Sequence, residues 1–487
     1  MGGHRWARIG AIVGVVAVLA VAAACAAPVP VEFPDGAGDV VPVAAPDTAG
    51  PLTFRGTDLV DAHGRVVQLH GINMVRKAAP FHVSPDEAGF AENLESVRRS
   101  GFNGVRLGVW MAELTPEPGV IDTAYLDEVQ RGVDALVDAG LWVLLDFHQD
   151  VFTGMPDWAT TAETAALSPT LPGADGDAFW ALAYFSPRST QQWEDLYARV
   201  PVADGRSAVD LMGDAVAAVA DRFEGEPNVI GIDLMNEPWP AERFLDCLGG
   251  TCAPRYDELR SIYAEYTAKV RAVAPDMAVW WAPFNWGPPF QGSPTPAEQG
   301  LDDVGLTFHS YCLYTDGGEP VQPAPVEYGL CRNVYEGQVA EAAEVAAHWD
   351  APVLLGEFGA SASPLNTTRL TQLADERQMS WMYWDDNYFR GAPEVVRTDL
   401  VRTYPQATAG DVVSQRFDPA TGSFDLRYVP DHGVSAPTSI VAPTEVHPDG
   451  YTVDVVGGSV VSAPDAGMIE VVADPGAAEV TVRVARR

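Results

Sequence analysis

A (β/α)₈ TIM barrel followed by a small β-sandwich is the fold this sequence predicts, on three observations. Eight short apolar runs recur across residues 52–392, with helix-like stretches between most of them, which is the alternation of a parallel barrel. Polar and charged residues gather at the C-terminal ends of those runs, where such barrels build their sites. From residue 393 to 487 the pattern changes to short alternating strands with Gly/Pro turns and no helix period, which reads as a β-sandwich. A doubly wound open sheet is the alternative, but no Gly-rich phosphate loop follows the first run.

Residues 1–26 precede the fold. His4, Arg5 and Arg8 make a basic start, residues 9–23 are apolar, and Ala22, Ala23 and Ala24 lead into Cys25. That is a secretory signal, too short and wrongly flanked for a membrane span. Cys25 is either lost with the signal or accepts a lipid anchor, so the protein is expected outside the cell, secreted or held at the surface. Residues 27–51 form a linker rich in Pro, Ala and Val. A net charge of −37 and a pI near 4.4 argue against nucleic acid as partner. Lysine occurs only at positions 77 and 269, so Lys77 calls for a particular explanation.

The barrel strands are expected at 66–72, 104–109, 142–147, 229–234, 277–281, 305–308, 352–355 and 380–384. Helices are expected at 86–100, 125–139, 208–223, 256–273 and 336–349; the stretch between the fifth and sixth strands has no clear helix. Strand two carries Arg106 inside an apolar run, and a buried arginine needs a carboxylate. Strand three runs into Asp146-Phe147-His148-Gln149-Asp150, whose alternation points three polar groups to one side. A metal site is the rival reading there, but no further histidine pair completes a shell, and neither metal nor cofactor is expected. Strand four leads into Asn236-Glu237-Pro238, strand six into His309-Ser310-Tyr311, strand seven into Glu357, and strand eight ends on Trp384.

Glu237 and Glu357 are each the first exposed residue after an apolar run, and together they supply what glycosidic hydrolysis needs, a proton donor and a nucleophile. Arg106 and Tyr311 would attend Glu357 and favour its charged form, Asn236 and His309 would meet sugar hydroxyls, and Trp384 offers an apolar face to a sugar ring. The Glu357 charge is expected to disfavour ionisation of Glu237. Four cysteines remain beside Cys25. The local pairs Cys247–Cys252 and Cys312–Cys331 would staple loops after strands, with two other pairings formally possible.

In order, Arg106, His148, Asn236, Glu237, His309, Tyr311, Glu357 and Trp384 resemble the pattern of glycoside hydrolase family 5, in the clan with acid/base after strand four and nucleophile after strand seven. His70-Gly71-Ile72-Asn73-Met74-Val75-Arg76-Lys77, the segment 146–152 and the β-domain narrow the resemblance to endoglycoceramidases. These cut the bond between oligosaccharide and ceramide in glycosphingolipids, met in membranes or micelles. The resemblance implies that Lys77, Asp146, Asp150 and Trp193 bind the sugars nearest the lipid; a monomer is expected. It departs at Arg76 and at His82-Val83, beside the sugar-binding mouth. The insertion 151–200 carries Phe152, Met155, Trp158, Phe179, Trp180, Tyr184, Phe185 and Trp193, side chains suited to an apolar slot for acyl chains. A lid packed on itself is the alternative. A β-glucanase of the same family is the rival activity, and a non-catalytic carbohydrate-binding surface lipoprotein the remote one.

Overall fold

The computed structural model describes residues 50–171, 180–248, 252–285, 290, 294–312, 325–360, 364–392 and 394–487. The expected signal, Cys25 and the linker up to residue 49 therefore lie outside the described residues, as do Phe179 and the side chain of Trp180. Eight parallel strands close a barrel in sequence order: His70–Met74, Gly104–Val109, Trp142–Phe147, Val229–Asp233, Val279–Trp281, Val304–His309, Val353–Glu357 and Ser380–Tyr383. Strand five closes back on strand four, with Trp280 opposite Asp233. Helices Phe90–Arg99, Thr123–Asp138, Ala208–Arg222, Ala253–Val273, Pro325–Trp349 and Pro364–Arg377 pack outside.

Alternation sets what fills the barrel. In strand three Trp142, Leu144 and Asp146 share one side, and the first two join Trp280, Leu354 and Met382 in an inner apolar cluster. Val143, Leu145 and Phe147 pack instead with the helices. The interior is thus apolar at the N-terminal end and polar at the C-terminal end. Strand four breaks the alternation. Ile230 joins the inner cluster, yet Asp233, three residues on, also points inward to Arg106. Gly231 lies between them at φ +125°, and an added Cβ would stand 2.4 Å from the Ala278 carbonyl oxygen. Only glycine fits that conformation and approach.

The β-domain is built of two antiparallel sheets. One, of four strands, is formed by Gly410–Asp418, Ser423–Pro430, Val480–Arg486 and Tyr451–Val456. The other has seven, and three of them, Thr53–Arg55, Asp58–Val60 and Val66–Val67, come from the N-terminal side of the barrel. This corrects the boundary at residue 52 and the first strand at 66–72: Val67 pairs with Ala407 of the β-domain, and the barrel strand starts at His70. The chain enters the molecule through the β-domain sheet. Leu59, Val67, Leu69 and Ala407 close over the inner cluster of the barrel, while His70 stacks between Trp381 and Tyr404, at ring distances of 4.4 and 3.7 Å. The β-domain therefore plugs the N-terminal end of the barrel, away from the mouth.

Candidate active site

Arg106 organises the mouth. It is fully buried, where an unpaired guanidinium would be prohibitive, and each of its five N–H groups has an acceptor. Nη1 donates to Glu357 Oε1 at 2.7 Å and Asn73 Oδ1 at 3.1 Å. Nη2 donates to Asp146 Oδ1, Asp233 Oδ2 and Asn236 Oδ1, all at 2.8 Å, and Nε to Asp233 Oδ2 at 3.1 Å. Burial works against the arginine's charge, but the carboxylates of Asp146, Asp233 and Glu357 together hold its pKa above the ordinary value.

Glu357 accepts a second hydrogen bond, from the Tyr311 hydroxyl to Oε2 at 3.2 Å. Its neighbour across the mouth is Glu237: one carboxylate oxygen of each, together with a ring nitrogen of His309, lie within 4.8 Å of one another. His309 Nδ1 stands 2.9 Å from Glu237 Oε1 and 3.5 Å from Glu357 Oε2, a bridge between the pair. Burial first, and then the Arg106 charge, push the His309 pKa down to about 4 despite the attraction of Glu357, so the bridging imidazole is neutral near pH 7. Glu237 has φ 41°, a left-handed conformation rare outside glycine and typical of strained functional positions. Its Oε2 accepts from Asn285 Nδ2 at 2.8 Å and from the Tyr184 hydroxyl at 3.4 Å. Burial pushes the Glu237 carboxyl up to about 7, and the largest charge adding to that rise is Asp150. Glu357, whose charge was expected to disfavour ionisation of Glu237, is not among the largest contributions to that rise.

A ladder of alternating charge leads from Arg106 to the rim. Asp146 Oδ2 meets His148 Nδ1 at 2.7 Å, His148 Nε2 faces Asp150 Oδ2 at 3.7 Å, and the same oxygen holds Lys77 Nζ at 2.6 Å. Burial opposes every charge in this ladder, and neighbours of opposite sign overcome it. His148 rises to about 9 beside Asp146 and Asp150, Asp150 is held well below the usual carboxylate range, and Lys77 is raised. Lys77 Nζ also sits 4.4 Å from the Trp384 ring centre in a cation–π contact, and His148 stacks on that tryptophan at 5.3 Å. Asn236 spends its amide oxygen on Arg106 and one N–H on the Gln149 carbonyl at 2.9 Å, which leaves its second N–H for a ligand.

The structure thus brings together Arg106, Asp146, His148, Asn236, Glu237, His309, Tyr311 and Glu357, with Lys77, Asp150 and Trp384 beside them. It does not bring Trp193 to the mouth. That side chain is fully buried, packs on Phe152 and Tyr197, and donates Nε1 to the Val151 carbonyl at 2.8 Å. It braces the backbone behind Asp150, and its assignment as a sugar ligand is corrected. Phe152, Met155 and Tyr184 are buried too, so much of the insertion packs on itself. A pocket of 440 Å³ opens between the insertion and Phe81 and Trp110. Of the insertion expected to form the acyl slot, 172–179 lie outside the described residues. Arg76 holds Glu87 and Asp386 with paired bonds of 2.5–3.0 Å, tying the loop after strand one to that after strand eight. Cys247–Cys252 and Cys312–Cys331 are disulfides with Cα separations of 4.2 and 5.4 Å, the second one residue beyond Tyr311.

Asn73, Asp233 and Asn285 join the site without having been singled out as site residues, and Tyr184, read as an apolar lining of the insertion, meets Glu237 instead. Asp233 carried a readable signal, a charge inside an apolar strand like Arg106. Asn73 and Asn285 lie in ordinary contexts, and only the closed barrel brings them in.

Residues 60–390 match the cellulase family, glycosyl hydrolase family 5, and residues 402–484 the glycoside hydrolase family 5 C-terminal domain. Endoglycoceramidase I of Rhodococcus hoagii (strain 103S) is 36% identical over 453 residues, 89% of this chain and 88% of that protein. Endoglycoceramidase of Cyanea nozakii is 25% identical over 438 residues, 79% and 82% of the two. The solved structure of endo-glycoceramidase II from Rhodococcus sp. has a TM-score of 0.70 at 25% identity, covering 88% of this chain and 99% of that one.

Proposed function

This chain belongs to glycoside hydrolase family 5, and from that premise we propose that it is a retaining endo-glycosidase that cleaves glycosphingolipids between oligosaccharide and ceramide. The observation that carries the substrate is the 36% identity to endoglycoceramidase I over 89% of the chain. The approach of the two glutamates within 4.8 Å supports retention, which needs carboxyls about 5–5.5 Å apart, against about 6.5–9.5 Å for inversion.

Each residue then has a task. Glu237, protonated at neutral pH or just below, gives its proton to the glycosidic oxygen as the bond to ceramide breaks. Glu357, aimed by Arg106 and Tyr311, attacks the anomeric carbon and forms a glycosyl-enzyme. Neutral His309 and the Asn285 amide fix Glu237 between the two half-reactions. In the second, Glu237 takes a proton from water, which attacks the anomeric carbon and frees Glu357. Lys77, Asp150 and Trp384 meet the sugars, and the remaining N–H of Asn236 meets the hydroxyl beside the scissile bond. The basic-then-apolar start of the sequence supports export, and two disulfides suit an oxidising compartment. Cys25 as a lipid-anchored residue at the cell surface is the alternative to free secretion.

Incubation with a ganglioside and with lactosylceramide tests the proposal: free ceramide and intact glycan are expected. Faster cleavage of a cello-oligosaccharide than of either lipid would assign the chain to the glucanases.

A further inference from the structure

Arg106 does not serve Glu357 alone. Asp146 on strand three and Asp233 on strand four stand opposite each other in register, and both accept from the same Nη2. Asp233 takes a second bond from Nε, so its Oδ2 grips the side of the guanidinium away from Glu357. Its other oxygen, Oδ1, is buried and has no hydrogen-bond partner. Nothing in the proposed reaction uses this carboxyl. It is fully buried and has no route to the substrate except through Arg106.

We infer that Asp233 is a positioning residue for the reaction: it fixes Arg106 toward Glu357, and its charge sets how much of the arginine's attraction the nucleophile feels. The inference rests on the reading of Glu357 as nucleophile. With Asp233 ionised, Arg106 is shared among three carboxylates, Glu357 feels less of its attraction, and one more negative charge lies beneath a transition state that builds positive charge on the sugar. With Asp233 protonated, Arg106 is shared between two and binds Glu357 more tightly. Asp233 is also the group of the cluster placed to change state. Burial raises its pKa to about 6, against the pull of Arg106 and with the push of Asp146, whereas Asp146, held by Arg106 and His148, is lowered despite burial. The same guanidinium also holds Asn73 from strand one, Asn236 beyond strand four and Glu357 from strand seven, and the charges of Asp233 and Glu357 act on one another, as do those of Asp233 and Tyr263 of the outer helix. Tyr263 stays neutral, since burial lifts its pKa far above the ordinary value.

The test uses the full chain and a dinitrophenyl glycoside of lactose. Its leaving group needs no proton, so the ionisation of Glu237 drops out and ceramide recognition is not involved. Turnover of this substrate checks the family chemistry independently. Asp233→Asn keeps an acceptor for Arg106 and removes the charge. It is expected to lower kcat/KM about tenfold at pH 7, on the scale of one pH unit of interaction, with KM little changed. The deficit should close toward pH 5, where Asp233 is itself protonated in the wild type. The wild-type profile should show two ionisations on its acidic side, and the variant one. A merely structural role predicts a deficit that does not vary with pH. Such a constant deficit, or equal profiles for the two proteins, would overturn the inference. If the variant fails to fold, a single ionisation on the acidic side of the wild-type profile overturns it equally.

Discussion

Glu237→Gln should make the protein more stable at neutral and alkaline pH while removing turnover of the lipid substrate. The carboxyl sits almost wholly buried, and its pKa rises from the usual 4.5 to about 7, burial first and the Asp150 charge second. At about 1.36 kcal/mol for each pH unit, holding this group ionised in the folded state costs about 3 kcal/mol relative to the unfolded chain. Because the folded pKa is raised, the folded state binds the proton more tightly. Between pH 4.5 and 7 the unfolded chain has lost that proton and the folded one has kept it, so stability falls as pH rises through this window. Glutamine imitates the protonated acid: its carbonyl can accept from Asn285, and its amide can donate to His309. At pH 4.5 the two proteins should therefore unfold at nearly the same urea concentration. At pH 8 the variant should be ahead by up to about 3 kcal/mol. A gap that stays constant from pH 4.5 to 8 would refute the claim that Glu237 is the buried, reluctantly ionised acid.

Other outcomes follow from the same contacts. Asp150→Asn removes the largest charge raising Glu237, so the basic limb of kcat/KM for a ganglioside should move to lower pH. Lys77→Ala removes a charge that lowers it and should move the same limb upward, while raising KM; limbs shifting in one direction for both variants would contradict the electrostatics. Trp193→Ala should cost about 3–5 kcal/mol of stability, the range for emptying an aromatic site in a core, as read by denaturant unfolding, whereas a sugar-stacking tryptophan would chiefly raise KM. Replacing ceramide by a small aglycone of equal leaving ability should lower kcat/KM, by at most about 0.8 kcal/mol for each methylene no longer buried.

What the sequence disclosed depended on whether one residue's surroundings could be read from its neighbours along the chain. Arg106, Glu237 and Glu357 stand out because a charge at or inside an apolar strand is informative by itself. Trp193 misled because an aromatic residue in an insertion suits a lining and a core equally. Its helix does show a stripe of Ser189, Trp193, Leu196 and Tyr197, spacing that marks a buried face. The strands between residues 53 and 67 are two or three residues long, too short for a period, and the one that joins them to the β-domain, Val66–Val67, finds its partner there more than 300 residues away, at Ala407 and Thr408. The source of the Glu237 shift was hidden for a different reason: Asp150 is close to Glu237 only because strands three and four are neighbours in the closed barrel.

The charges of the mouth explain why the acid keeps its proton. Arg106, His148 and Lys77 are the three cations, and Asp146, Asp150, Asp233 and Glu357 all pair with them directly, with Glu237 beside them. Five carboxyls thus face three cations. Ionising all five would leave the buried cluster negative in a medium that penalises net charge, and Glu237 and Asp233 are the two whose pKa values are raised. Glu237 borders the mouth and can hand its proton to a substrate; Asp233 lies behind Arg106 and cannot. Adding a cation should therefore release both protons at lower pH, and removing one should retain them to higher pH. His148→Asn, which deletes a cation but not a ligand-sized side chain, should carry the basic limb of the ganglioside profile upward, in the direction of Lys77→Ala and by a smaller step, because Lys77 is the larger of the two charges that lower Glu237.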